Sequence, residues 1–354
     1  MRLIAGAAGP PAGLYDADVV ILALERREET LAAIRSALAQ TGVSRHVVII
    51  DQGSTAETLA RFAALVRGRR DATLLAPDRN HGVAGGRNLG AAVGHGRIIA
   101  ALDNDAEFAT ADTLAGMVAA LDADPALAVV ACRIVQDATG TDDLSSWGYP
   151  ASLLARAGSE FDTVTFVGAG HAIRRTVWQE VGGYDATLFF CWEEYDFALR
   201  AIARGWRLRY HGNLVIRHKV SAEQRVAWPD RRWFQFVRNR LFIGRKCGAS
   251  WIELAPRVGA YLLKGLRNGL APATVRAITA AARLDPKPSR IVLPPAARRY
   301  LRQHDTAHRG TWMQRLVDEV LARVPAYVQD STPAERAARR SLSSSRSTTG
   351  LSRR

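Results

Sequence analysis

Two periodicities alternate along the first part of the chain. Short, nearly unbroken apolar runs rich in β-branched residues, at 18–24 (DVVILAL), 46–51 (HVVIID), 72–76 and 98–102, read as strands buried on both faces. Between the first two runs Leu31, Ile34 and Leu38 recur at helical spacing, which predicts a strand–helix–strand unit. A helical stretch reaching about Val93 separates the third run from the fourth, and a helix (113–121) and a strand (127–135) follow. Strands that alternate with helices imply a mostly parallel α/β sheet with helices on both faces, in which ligands bind at the carboxyl ends of the strands. Asp51 and the pair Asp103 and Asp105 stand at two such ends.

Beyond a loop expected at 136–161, residues 164–167 (VTFV) and 207–218 look extended, with helices near 174–181 and 194–204 between them. From Trp228 the pattern is helical, and residues 331–354, with seven Ser and six Arg, read as a disordered tail. The expected organisation is an N-terminal extension (1–16), a catalytic domain (17–220), a helical region (221–330) and that tail.

Composition narrows the class. With 354 residues, 48% of them hydrophobic, the chain can bury a large core. Its net charge of +14 is unevenly placed: residues 217–300 hold 18 Lys and Arg against 4 Asp and Glu, whereas residues 1–216 sum to −5. No RNA- or DNA-binding motif accompanies the basic region, so no nucleic-acid partner is expected. Cys132, Cys191 and Cys247 are widely spaced with no C-x-x-C pair, which points to a reduced, cytoplasmic protein without a disulfide framework or zinc site. Gly6, Gly9, Pro10 and Pro11 interrupt any signal-like core, and no apolar run is long enough to span a bilayer. A helical projection of 251–270 gathers Trp251, Leu254, Val258, Tyr261, Leu262 and Leu266 on one face and Arg257, Lys264 and Arg267 on the other. That pattern suits either a helix packed on the catalytic domain or peripheral contact with the inner face of a membrane.

Several clusters could carry chemistry. In Leu102–Asp103–Asn104–Asp105 the two carboxylates lie at i and i+2, so on extended backbone they share a face and can converge on a hard cation such as Mg²⁺ or Mn²⁺; alone, the same pattern serves as a polar strand-end turn. Asp51, followed by a Gly-Ser turn, is placed to meet ribose hydroxyls or a base N–H, or to cap a helix. The segment RNHGVAGGRNLG matches neither G-x-G-x-x-G nor the Walker pattern, but its glycines, Gly82 among them, would let backbone approach a ligand while Arg87 and Asn88 reach phosphate or ribose. Glu193, Glu194 and Asp196 crowd the start of a helix, where the dipole favours acids and Asp196 can pair with Arg200. A carboxylate there, flanked by Phe189, Phe190 and Trp192, could take a proton from an attacking hydroxyl. His218 ends the strand LVIRH, where a neutral imidazole would complete a cation site beside Asp105.

In order, VVILALERREE, VIIDQGS, NHGVAGGRNLG, ALDND, VGAGHAIRR, VGGYD, WEEYDFALRA, VIRH and RNRLFIGRK resemble the family 2 glycosyltransferases of GT-A fold, rhamnosyl- and galactofuranosyltransferases included, over about residues 17–248. The resemblance implies an inverting enzyme that moves a sugar from a nucleotide-diphosphate sugar (UDP- or dTDP-linked) to a hydroxyl of a glycan, lipid-linked intermediate or natural product, with Mg²⁺ or Mn²⁺. It implies Glu194 as catalytic base; Asp105, Asp103 and His218 at the metal; and Asp51, Gly82, Arg87, Asn88 and Asp103 at the nucleotide. Gly170, His171, Trp192, Glu193 and Asp196 would meet sugar or acceptor. Two departures stand out: Ala23, Leu24, Glu25 and Arg26 replace the family's Pro-Thr-Tyr-like segment, and Gly168–His171 replaces a more apolar loop. The absence of a Q-x-x-R-W motif leads us to expect one sugar per encounter. The rival reading is an inactive adaptor on the same fold that binds anionic membrane or nucleic acid through its basic region, and intact acids at every motif position count against it. A nucleotidyltransferase would need glycine in the first strand-to-helix turn, and 24–30 (LERREET) has none.

Overall fold

The computed structural model describes residues 1–10, 13–219 and 229–311. Its strands are β1 (Arg2–Gly6), β2 (Ala17–Ala23), β3 (Arg45–Asp51), β4 (Ala72–Ala76), β5 (Ile98–Asp103), β6 (Ala106–Phe108), β7 (Leu127–Gln136), β8 (Glu160–Thr163), β9 (Gly170–Arg174) and β10 (Arg207–His218). Its helices are α1 (Arg27–Leu38), α2 (Ala56–Val66), α3 (Gly82–Val93), α4 (Thr113–Ala123), α5 (Arg175–Val181), α6 (Glu193–Ala203), α7 (Pro229–Lys246), α8 (Trp251–Arg267), α9 (Ala271–Arg283) and α10 (Pro295–His304).

One sheet runs in the order β1-β4-β3-β2-β5-β9-β7-β10-β6, with β8 paired to β10. Strands β4, β3, β2 and β5 are mutually parallel, β9 runs against both β5 and β7, and β10 is parallel to β7. Successive side chains of β2 and β3 serve opposite cores. Val19, Ile21, Val47 and Ile49 pack with Leu31 and Ile34 of α1 and Phe62 of α2, whereas Val20, Val48 and Ile50 pack with Ala84 of α3, Trp178 of α5 and Phe197 of α6. This is why the runs are apolar at every position rather than alternate ones. Chain order reverses between β2 and β5, which opens a crevice at their carboxyl ends. Asp51 and Asp103 close the two strands that flank β2 there.

Four local expectations need correction. The glycine-rich segment is the first turns of helix α3 and not a ligand-facing loop, because its glycines let the helix lie close to the sheet. A Cβ at Gly90 would sit 2.3 Å from Val20 Cγ1, and one at Gly86 3.0 Å from Leu22 Cδ2. Residues 164–167 are not a strand: pairing belongs to β8 just before them, while Val164 and Phe166, each 3% exposed, fill the core without joining a ladder. Within the expected N-terminal extension, Arg2–Gly6 adds an antiparallel edge strand to β4. On α8 the buried side holds Leu254, Tyr261 and also Lys264, whose ammonium lies over the Trp233 ring, while Leu262 and Leu266 face outward.

The helical region beyond β10 does not stand apart. Trp233, Val237, Leu241, Leu254, Tyr261, Ala273 and Ala277 bind α7, α8 and α9 into a cluster of their own. Phe242 and Ile243 on the other side of α7 pack with Leu188 and Leu199 of the sheet domain. The expected tail at 331–354 lies outside the described residues.

Tight apposition of α3 on β2 gives a direct test. Gly90→Ala should lower stability by about 1–3 kcal/mol in urea unfolding through overpacking against Val20, although alanine favours helix by up to about 1 kcal/mol. An unchanged or raised midpoint would contradict this packing.

Candidate active site

Strand β3 delivers Asp51 to the crevice in a buried position, 2% exposed. Its Oδ2 accepts from the backbone N–H groups of Gly53 (3.4 Å) and Ser54 (3.2 Å), while Oδ1 is buried without a partner among the described residues. An unsatisfied buried carboxylate oxygen is costly, and here it is available to a ribose hydroxyl or a base N–H.

Three residues expected at the nucleotide are framework instead. The Arg87 guanidinium, 3% exposed, donates to the carbonyls of Val20 and Leu102 and to Asp103 Oδ1 at 2.8 Å, so it holds Asp103 and ties the middle of β2 to the end of β5. Both ends of the Asn88 amide are taken by the Tyr184 backbone (2.8 and 2.9 Å). Gly82, at φ +70°, opens α3 beneath Phe189, whose carbonyl accepts the N–H of Val83 at 2.7 Å. Any Cβ at Gly82 would collide with that carbonyl.

Antiparallel pairing of β6 with β10 sets His218 opposite Ala106, the residue after Asp105. His218 Nε2 thereby lies 3.4 Å from Asp105 Oδ1, and Nδ1 lies 2.7 Å from Asp143 Oδ2. With Nδ1 donating to Asp143, Nε2 turns a lone pair toward the carboxylate, the orientation that carboxylate–histidine–metal arrays use. Burial opposes ionisation of Asp143, but hydrogen bonds from His218, Ser145 and Ser146 outweigh it and hold the carboxyl well below the usual range. Asp103 is half-exposed and Asp105 nearly buried, with side-chain exposures of 38% and 8%. Among the described residues no three His, Cys, Asp or Glu side chains form a ready-made cage. One carboxylate oxygen and one imidazole nitrogen nevertheless fit Mn²⁺ or Mg²⁺ that takes its other ligands from a diphosphate and water. Arg26 also contacts this site, ion-paired with Asp105 Oδ2.

The third element is the start of α6. Phe189, Cys191 and Trp192 precede it in the left-handed region (φ 61°, 72° and 73°). The buried Asn239 amide of α7 ties the loop down by donating to the carbonyls of Leu188 (2.8 Å), Phe190 (2.9 Å) and Cys191 (2.8 Å). Glu193 and Glu194 follow. Burial, followed by the neighbouring Glu194, pushes the Glu193 carboxyl up, and its Oε2 has no partner among the described residues. Burial pushes Glu194 up to about 7, with Asp103 reinforcing the rise and Arg87 opposing it. The Glu194 carboxylate rests over Gly168, where a Cβ would lie 2.4 Å from Oε1.

Four residues expected at sugar or acceptor have other partners. Asp196 is fully buried and paired with Arg200 (2.8 Å) and with Lys246, which also meets Asp185 (2.8 Å). His171 is 2% exposed: Nδ1 faces the Val167 carbonyl (3.0 Å), and Nε2 faces the Tyr184 hydroxyl (3.0 Å). Burial drives His171 down to about 3, so the imidazole is neutral and held between Val167 and Tyr184. Gly170 is buried against Ile216, 2.4 Å from where its Cβ would stand. The Trp192 indole N–H donates to the Phe236 carbonyl (3.0 Å), and Arg240 lies 5.3 Å over its ring.

Asp143, Asn239 and Lys246 escaped the sequence reading. Asp143 sat in an aperiodic stretch, and Asn239 and Lys246 were visible only as part of RNRLFIGRK. Asn239→Ala should remove this donor from the Phe190 and Cys191 carbonyls, while the Leu188 carbonyl keeps the Phe190 N–H and Arg238 as donors, costing about 1–3 kcal/mol in urea unfolding. A change under about 0.5 kcal/mol would contradict the clamp.

Comparison with known proteins fits this geometry. The model for "Glycosyl transferase family 2" matches residues 18–182. Over 116 residues the chain is 40% identical to "Succinoglycan biosynthesis protein ExoO" of Rhizobium meliloti (strain 1021), a match spanning 32% of either chain. In structure it resembles the mannosyltransferase PcManGT from Pyrobaculum calidifontis, solved with GDP-Man and Mn²⁺, at TM-score 0.53 and 21% identity over 89% of this chain and 88% of that one. It also resembles GalNAc-T7, solved with UDP, GalNAc and Mn²⁺, at TM-score 0.56 and 15% identity over 88% of this chain and 57% of that one. At these identities the two structures establish the fold alone. Residues 18–182, which include the strands and helices around the crevice at the β2/β5 switch point, thus resemble glycosyl transferase family 2, and the chain has a GT-A fold.

Proposed function

We propose that this protein transfers a sugar from a nucleoside-diphosphate sugar to an acceptor hydroxyl, with cation assistance and inversion at the anomeric carbon. The observation that carries the reading is the facing pair Asp105 Oδ1 and His218 Nε2, 3.4 Å apart, with Asp143 fixing the imidazole. Asp51 Oδ1 would receive a donor from ribose or base, and Asp103, steadied by Arg87, would meet ribose or a metal-bound water. A bound Mg²⁺ or Mn²⁺ would neutralise charge on the departing diphosphate. Glu194 would take the acceptor proton, and an ionisation near 7 suits a base that works at neutral pH. Attack from the opposite face would invert the centre through a transition state of oxocarbenium character. PcManGT, solved with GDP-Man and Mn²⁺, and GalNAc-T7, solved with UDP, GalNAc and Mn²⁺, support the donor class. The match to ExoO supports a glycan or its lipid-linked precursor as acceptor, though it spans only 32% of that protein. We take residues 17–220 as the catalytic domain and the helices beyond as its continuation, since Asn239 and Lys246 hold the loop that presents Glu194.

Transfer should require Mn²⁺ or Mg²⁺. Because Glu194 acts as the ionised form, kcat/KM should climb about tenfold per pH unit below 7 and level off above it. Glu194→Gln should lose about 10²–10⁴ in kcat while still binding UDP or GDP in a thermal-shift assay. Wild-type turnover in that variant would remove Glu194 from the role of base.

For the acceptor we infer a site at an anionic bilayer surface, approached by the outer face of α8. Ile252, Leu262, Leu263 and Leu266 are 86%, 39%, 45% and 69% exposed there, beside exposed Arg267. Residues 217–300, which include α8, carry 18 basic against 4 acidic side chains, so a second copy on this face would meet like charge. Among the described residues no helix is long and apolar enough to cross a membrane. The protein should float with phosphatidylglycerol vesicles, and the double variant Leu263→Glu with Leu266→Glu should stay behind. Dimerisation through this face without vesicle binding would overturn the assignment.

A further inference from the structure

The turn between β2 and α1 is where the sequence leaves the family pattern, and its backbone is unusual. Glu25 and Arg26 are consecutive non-glycine residues in the left-handed region, at φ 52° and 49°. Such residues persist where their surroundings over-determine them, and they gather at functional sites. Here the turn after β3, next to Asp51, does the holding. The Glu25 carboxylate accepts from the Thr55 N–H (2.6 Å) and the Thr58 hydroxyl (3.3 Å), and the Glu25 N–H donates to Ser54 Oγ (2.8 Å). With Glu25 pinned toward the nucleotide side, the next residue carries its guanidinium to Asp105 Oδ2, while His218 faces Oδ1 of the same carboxylate. The Arg26 side chain is 22% exposed and that of Asp105 only 8%.

A carboxylate this buried needs a positive partner whether or not a ligand is present, and removing that partner leaves an uncompensated charge. The planar guanidinium matches carboxylate and phosphate oxygens equally well. We propose that Arg26 is a built-in counter-cation of the Asp105–His218 pair, exchanging partners when the donor binds; this rests on the metal reading of that pair. Without donor, the guanidinium occupies Asp105 Oδ2 and competes with a divalent cation. A nucleoside diphosphate draws it onto phosphate oxygens and frees Asp105. Donor and cation then bind as linked ligands, each raising the affinity of the other by the same factor.

The test is Mn²⁺ binding by the full chain, followed by the loss of the free-ion electron paramagnetic resonance signal, with and without saturating UDP or GDP. The wild type should bind Mn²⁺ at least tenfold more tightly with nucleotide than without. Arg26→Gln should bind Mn²⁺ at least tenfold more tightly than wild type when nucleotide is absent, with the nucleotide effect shrinking below threefold. Its calorimetric affinity for UDP or GDP without metal should fall at least fivefold, while uridine or guanosine binds as before. Arg26→Lys, which keeps the charge without the fork, should fall between. Nucleotide-free Mn²⁺ affinity unchanged in both Arg26 variants would overturn the proposal. Asp105→Asn separates the two levels of inference. Full Mn²⁺ binding in that variant would sink the metal reading itself, whereas lost binding there with unchanged Arg26 variants sinks only the exchange.

Discussion

Two adjacent carboxylates, Glu193 buried and Glu194 half-buried, stand at the head of α6, and much of the structure answers the demand this makes. Burial and mutual repulsion both favour their neutral forms. The N-terminus of α6 offers partial positive charge but no counter-ion. The loop before them is bent through three left-handed non-glycine residues, which the chain could not hold alone. Asn239 satisfies its carbonyls, Lys246 bridges Asp185 and Asp196 on either side, and the first N–H groups of α3 take the Phe189 carbonyl. The helical region thus holds the loop at the head of α6, although the match to the family ends at residue 182.

Across the crevice the design is opposite. Asp105 is buried but surrounded by nitrogen: His218 on one oxygen and Arg26 on the other. Asp143, itself held ionised by His218 and two serines, fixes the imidazole. One side of the crevice therefore stores proton affinity and the other stores charge for a cation. That division is what a displacement reaction needs when a hydroxyl must lose a proton while a diphosphate departs.

The strands were legible because burial on both faces writes itself into consecutive residues; the predicted 46–51 and 207–218 coincide closely with β3 and β10. The glycines of α3 read as room for a ligand because glycine often marks close backbone approach, whereas here Gly86 and Gly90 admit Leu22 and Val20. Asp51, Asp105, Glu194 and His218 were visible at strand and helix ends, where backbone geometry alone aims a side chain. His171 and Asp196 carried the same polar signature, yet both are buried: the Asp196–Arg200 pair was legible in the i,i+4 spacing, whereas Lys246 at Asp196 and Tyr184 at His171 were not. Asp143 and Asn239 reach their partners across 75 and about 50 residues, so nothing local announces them.

Anomalous diffraction from crystals grown with Mn²⁺ and UDP or GDP tests the central claim most directly. The account predicts one manganese peak bound by Asp105 and by His218 Nε2, at ~2.1 Å from its protein oxygen, with diphosphate oxygens completing the shell and Glu194 left free. A manganese ion held by Glu193 and Glu194, or a diphosphate bound with no peak between Asp105 and His218, would contradict it.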